Sequence, residues 1–175
     1  GIVTLYEIGQ DFGAAPNWLS NDTLMAYHTS RARLMVNPRE ARSLYTLGLI
    51  ARLRGQLDEA RLQLELALRQ SPNDLPTVLA LGDVYLRSND ASRAAEAYQR
   101  ALALEPGNVT AQVGLGWAAL VARQPADAAR LWRGVIDVTR DGATLRRMIE
   151  LYRTVGDTAA ETRSRAALVR LGGTP

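Results

Sequence analysis

Apolar residues recur along this chain at steps of three and four, the period of one helix face. Leu44, Leu47, Gly48 and Ala51 form one such set, and Ala60, Leu64, Ala67 and Leu68 form the next. Polar turn residues separate them, with Gly55 after the first set and Ser71-Pro72 after the second. Glycine adopts a left-handed turn at low cost, and the residue before proline disfavours the helical region. The pattern therefore predicts a helical hairpin over residues 37–71, with Asn37 as cap and Pro38 at the first helical position. Asp58 and Glu59 suit the positive end of its second helix.

The hairpin recurs. Pro38, Pro72 and Pro106 are 34 residues apart, since 72 − 38 = 34 and 106 − 72 = 34. Leu47, Leu81 and Leu115 share one column, and Gly48, Gly82 and Gly116 the next. Ala60, Ala94 and Ala128 share another, as do Leu64, Tyr98 and Trp132, and Ala67, Ala101 and Val135. The small residues let two helices approach, and the large ones fill the space beside them. A hairpin of this size cannot bury its apolar faces alone and must stack on neighbours. Repeats are expected at about 37–71, 72–105 and 106–139. Asp74 is the expected cap of the second, and Asn89 takes the place of Gly55 at its turn. In the third, Arg123 stands at that place, so either the turn is reshaped or Gln124-Pro125 carries it. Trp132, Tyr98 and Tyr85 are expected in the core.

After residue 139 the pattern fades. Arg140 stands where a proline is due, yet Leu145, Met148, Ile149 and Tyr152 still read as a helix face. Residues 158–171 read as a final helix closed by Gly172-Gly173, with Arg163, Arg165 and Arg170 on its polar side. Residues 140–173 are thus expected to be a degenerate capping repeat. Residues 1–36 form a separate N-terminal segment. Asn21-Asp22-Thr23 caps a helix running to Val36, the second half of a partial repeat. The apolar but Gly- and Pro-broken stretch before it is expected to dock within its own chain or into a neighbouring copy.

These columns resemble the tetratricopeptide repeat, whose signature spreads Leu-Gly, Tyr, Ala, an aromatic and Pro over 34 residues. Residues 81–106 match best, through Leu81-Gly82, Tyr85, Ala94, Tyr98, Ala101 and Pro106. Departures occur at Ala51 and Ala119, where the family often has Tyr, and at Arg123. The resemblance implies an all-α fold, a right-handed superhelical array of antiparallel helix pairs. It also implies that first helices line a concave groove, and that the work is binding rather than catalysis. The groove side is expected to carry Arg42, Tyr45, Leu49, Arg52 and Leu53, then Leu79, Asp83, Leu86 and Arg87. Val113, Trp117, Leu120 and Val121 continue it, with Thr110 beside them and Arg146, Glu150 and Arg153 extending the line. This set is apolar with an Arg rim, which suits a hydrophobic peptide or an amphipathic helix of a protein partner. Trp117 and Tyr45 are anchor types. The family's clamp for acidic chaperone tails is not expected, because Tyr45 and Leu49 occupy its first-helix positions.

Composition narrows the rest. Cysteine is absent, which removes disulfides and thiolate chemistry, and His28 is the sole histidine. No clustered ligand spacing or Gly-rich phosphate loop occurs, so no enzyme activity, cofactor or metal is expected. All 21 basic residues are Arg, but 18 acidic residues are interspersed and the net charge is +3. A continuous basic stripe is lacking, so nucleic acid is not an expected partner. No run reaches the roughly 18 apolar residues of a membrane span. Residues 1–5 lack the basic start of a signal peptide, while the missing initiator Met leaves a removed leader open. Compartment is not assigned. A homo-oligomeric scaffold, built by docking the N-terminal segment into a neighbouring copy, is the alternative to an adaptor.

Overall fold

The computed structural model describes residues 21–174. Nine helices and no strand occur among the described residues. The chain divides between Pro72 and Asn73 into two compact units.

The first unit holds α1 (Asn21–Val36), α2 (Ala41–Leu53) and α3 (Leu57–Gln70). Helix α2 packs on both of its neighbours. Gly48 makes the α2–α3 contact possible, because a Cβ there would stand 2.6 Å from Leu64 Cγ. Leu64 and Ala60 are completely buried. Burying one leucine side chain stabilises by about 1.5–3 kcal/mol. Helix α1 contributes less, with Ser30 its one buried residue and Met35 and Val36 exposed.

The second unit holds three helix pairs: α4 (Leu75–Arg87) with α5 (Ala91–Leu104), α6 (Val109–Val121) with α7 (Pro125–Trp132), and α8 (Gly142–Val155) with α9 (Thr158–Arg170). Successive helices pack in order, and α4 also meets α6. Two glycines of α6 admit the large aromatics. A Cβ on Gly114 would lie 2.4 Å from Tyr98 Cζ, and one on Gly116 would lie 1.9 Å from Trp132 Nε1. The second and third of these pairs share a core of Trp132, Val135, Ile136, Leu145, Met148, Ile149, Tyr152 and Leu168.

The start of α2 differs from the expected position. Pro38 lies in the turn and not at the first helical position; like Pro72 and Pro106, it precedes a helix that begins three residues later. Asn37 does not cap α2. Its Oδ1 accepts from the Arg39 N–H at 3.2 Å, which closes a local turn, and Glu40 is the residue at the cap. Asp74 caps α4 by accepting from the Thr77 N–H, and Asn108 caps α6 by accepting from the Ala111 N–H. Asp141 caps α8 through the N–H groups of Ala143 and Thr144.

The turns inside each pair share a left-handed residue: Gly55 at φ 73°, Asn89 at 59°, Arg123 at 60° and Gly156 at 75°. Arg123 itself therefore carries its turn, and neither reshaping nor Gln124-Pro125 is needed. A β-carbon residue in that region costs roughly 1–2 kcal/mol, which the surrounding helix pair must offset. Helix α7 is shorter than expected. Gly134 and the β-branched Val135, Ile136, Val138 and Thr139 follow Trp132 and favour helix poorly. Val135 and Ile136 still reach the core, at 1% and 0% exposure, from a non-helical segment.

Candidate functional site

The candidate residues lie on the first helix of each pair. In the first unit these are on α2. Arg42 and Leu53 are exposed, whereas Tyr45, Leu49 and Arg52 are half-buried. A cleft of about 510 Å³ opens elsewhere in this unit, lined by Tyr27, Arg31, Leu47, Ile50, Ala51, Arg54, Gln56, Glu59 and Gln63. Arg31 lies 5.7 Å from the Tyr27 ring centre. Gln63 donates to Glu59 at 2.6 Å, and its own Oε1 is buried without a hydrogen-bond partner. Spacing alone did not mark this cleft, because its residues come from three helices.

In the second unit the candidates differ in cover from helix to helix. On α4, Leu79, Asp83 and Leu86 are half-buried and Arg87 is exposed, with Arg87 Nε donating to Asp83 at 2.9 Å. On α6, Val113, Trp117, Leu120 and Val121 are half-buried and Thr110 is exposed. On α8, Arg146, Glu150 and Arg153 are exposed and the character turns ionic. Arg147 reaches Glu150 at 2.9 Å, and Arg153 reaches Glu161 at 3.2 Å.

Trp117 is partly covered rather than fully open. Its ring meets Trp132 edge to face, with centres 5.3 Å apart and planes at 75°. Its Nε1 donates to Thr144 Oγ1 at 3.2 Å. Val113 and Leu120 pack against the same core. The expected core aromatics divide as well. Trp132 and Tyr98 are buried, and Trp132 Nε1 donates to the Val113 carbonyl at 2.9 Å. Tyr85 is only half-buried, with the Arg93 guanidinium 5.3 Å from its ring centre.

A third group lies at the far end of the unit, and sequence reading missed it. Asp137, in the non-helical segment, pairs with both Arg163 and Arg170 of α9. Arg133 pairs with Asp157 at 2.6 Å, and Arg165 with Glu161 at 2.9 Å. Hydrogen bonds from Arg163 and then Arg170 hold the Asp137 carboxyl below its ordinary range. Asp157 is lowered first by the Ala160 N–H, and Glu161 first by Arg165. A cleft of about 570 Å³ beside Gly156 is lined by Arg133, Asp157 and Arg163. Of the arginines read from sequence as a polar side, Arg163 and Arg170 are thus tied to Asp137, 26 and 33 residues away, while Arg165 pairs within its own helix.

His28 is half-buried with its ring against Tyr27, the centres 5.6 Å apart. Among the described residues no group of three His, Cys, Asp or Glu side chains is placed to hold a metal ion. No helix among them is long and apolar enough to cross a membrane.

Comparison with known proteins places this geometry. A curated relative, cellulose synthase operon protein C of Pseudomonas fluorescens (strain SBW25), is 34% identical over 91 residues. That match covers 50% of this chain and 7% of the relative's length. Among solved structures, the chain resembles a MamA RS-1 double mutant at TM-score 0.73 and 15% identity, covering 95% of this chain and 92% of the other. A second MamA crystal structure gives 0.70 at 16% identity, covering 96% and 92%. Pseudomonas aeruginosa pilF gives 0.76 at 16% identity, covering 97% and 75%. These likenesses show the fold class, an all-α solenoid of antiparallel helix pairs. The tetratricopeptide repeat profile matches residues 26–74 and 79–137, more than half the chain. The chain belongs to the tetratricopeptide repeat family, whose repeats serve as protein-interaction modules.

Proposed function

We propose that this chain is a non-catalytic adaptor that holds a hydrophobic peptide or an amphipathic helix of a protein partner on its first-helix faces. The reading is made chiefly for the second unit. One observation carries it: Leu79, Leu86, Val113, Trp117, Leu120 and Val121 are all half-buried on α4 and α6. Apolar side chains that their own chain covers only in part suit a partner's apolar side. Asp83 and Arg87 lie on α4 with Leu79 and Leu86, and the exposed Arg146 and Arg153 lie on α8. Charges at a binding rim steer and orient a partner more than they strengthen its grip. On α2 of the first unit, Arg42, Tyr45, Leu49, Arg52 and Leu53 offer a similar mixture.

The test is anisotropy titration with a fluorescent 18-residue amphipathic helix, Leu and Ala on one face and Glu on the other. Saturable binding is expected. Leu86→Glu and Trp117→Ala should each weaken it by about 2 kcal/mol, roughly thirtyfold, with unchanged helicity. Binding that ignores both substitutions would overturn the reading. The scaffold alternative rests on residues 1–20, which lie outside the described residues. Light scattering on the full chain and on one beginning at Asn21 separates the two. An oligomer that becomes monomeric on removing residues 1–20 would favour the scaffold.

A further inference from the structure

Three side chains form a relay from α6 to the start of α8. The Trp117 Nε1–H donates to Thr144 Oγ1 at 3.2 Å, and the Thr144 hydroxyl donates to Asp141 Oδ2 at 2.5 Å. The same Oδ2 accepts the Thr144 backbone N–H at 2.9 Å. Each role is forced. An ionised carboxylate only accepts and an indole only donates, so a hydroxyl between them gives its proton to the first and a lone pair to the second. Thr144 is 2% exposed, so water does not compete for the arrangement. The hydrogen bond from the Thr144 hydroxyl is the foremost cause holding the Asp141 carboxyl below its ordinary range, consistent with an ionised end to the relay. On its other side the Trp117 ring rests on the edge-to-face contact with Trp132, itself completely buried.

We propose that Thr144 is a positioning residue, which fixes the Trp117 ring in one orientation so that a partner meets a preset aromatic platform. The purpose of the device rests on the reading that the face carrying Trp117 binds a partner. Fixing a large side chain before binding removes its ordering cost from the binding step. A rigid aromatic is an effective anchor for the same reason. Residues at the two equivalent first-helix positions, Leu49 and Asp83, have no side-chain N–H to offer such a relay, so Trp117 alone of the three is held this way.

The experiment is a nitrogen–proton correlation spectrum of the full chain. Trp18, Trp117 and Trp132 give three indole N–H signals, and Trp117→Phe assigns one of them. In Thr144→Val the Trp117 signal should shift and exchange with water at least about tenfold faster, since its acceptor is gone. The Trp132 signal, bonded to Val113, should stay in place. Thr144→Ser should restore the Trp117 signal. The amphipathic probe helix should bind Thr144→Val about fivefold more weakly and Thr144→Ser normally. An unmoved Trp117 signal in folded Thr144→Val overturns the proposal. So does a Trp132 shift that Thr144→Ser fails to reverse, because general loss of packing would then be the cause. Unweakened probe binding alongside a shifted Trp117 signal overturns the positioning role in binding. No probe binding by the unmodified chain overturns the groove reading alone, and the indole signals still decide whether Thr144 sets the ring.

Discussion

Replacing Gly116 with alanine puts a methyl group where Trp132 already stands. The new Cβ would lie 1.9 Å from Nε1, 2.3 Å from Cδ1 and 2.4 Å from Cε2 of that ring. A rigid indole cannot bend away as a leucine tip can, and Trp132 has 0% exposure. Overpacking of this kind costs about 1–3 kcal/mol. Displacing the ring also breaks its bond to the Val113 carbonyl, and a buried N–H left unpaired costs about 1–3 kcal/mol more. Alanine returns about 1 kcal/mol through better helix propensity. The net expectation is a loss of about 3 kcal/mol, read as a lower midpoint in urea melts followed by circular dichroism. Gly134→Ala is the matched control, since no heavy atom lies within 4 Å of its would-be Cβ. It should leave stability within about 1 kcal/mol of the parent. Equal midpoints for the two variants would refute the claim that Gly116 exists to admit Trp132.

Other expectations follow from caps and charges. Asp74→Ala removes the side chain that caps α4 and should lower stability by about 0.5–2 kcal/mol in the same melts. Asp137, Asp157 and Glu161 titrate below their ordinary values. Their contribution is present above the usual carboxylate range of about 4 and is lost as pH falls through the lower folded values. Thermal melts from pH 6 down to pH 2 should show this decline, and Asp137→Asn should flatten it; an unchanged profile would exclude the Asp137 pairs as its source. Burial raises the Tyr152 hydroxyl to about 12, while that hydroxyl donates to the Ala129 carbonyl at 3.0 Å. Its stabilisation holds below the unfolded value of about 10 and is lost as pH climbs through the folded one. Ultraviolet titration should show a late tyrosine step that Tyr152→Phe removes.

The pair architecture was legible because packing glycines and their large partners recur at fixed spacing. Gly48 with Leu64, Gly82 with Tyr98 and Gly116 with Trp132 each sit in contact as their columns require. The helix starts were less so. Asn37-Pro38 satisfies the sequence rule for a cap and first turn, but Asn37 spends its side chain on the Arg39 N–H, and one sequence fits both uses. Arg123 could not be read as left-handed, since that conformation is unfavourable for Arg and only the fixed pair geometry imposes it. At the site, periodicity marked Trp117 but could not reveal Thr144, 27 residues away, as the acceptor of its indole N–H. The Asp137 ion pairs were hidden for the same reason. A local pattern carries no information on which distant charge will arrive opposite.

The short α7 has a further consequence. Helices α2, α4 and α6 begin at residues 41, 75 and 109, whereas α8 begins at 142, so the last interval is 33 where the others are 34. Dropping one residue from an unbroken helix would swing every later side chain by about 100° around its axis. The non-helical segment after Trp132 absorbs that slip, and Leu145, Met148, Ile149 and Tyr152 still arrive buried. The family match ends at residue 137, inside this segment. It behaves as an expansion joint, where the loss of one residue leaves both flanking pairs in phase with their own cores.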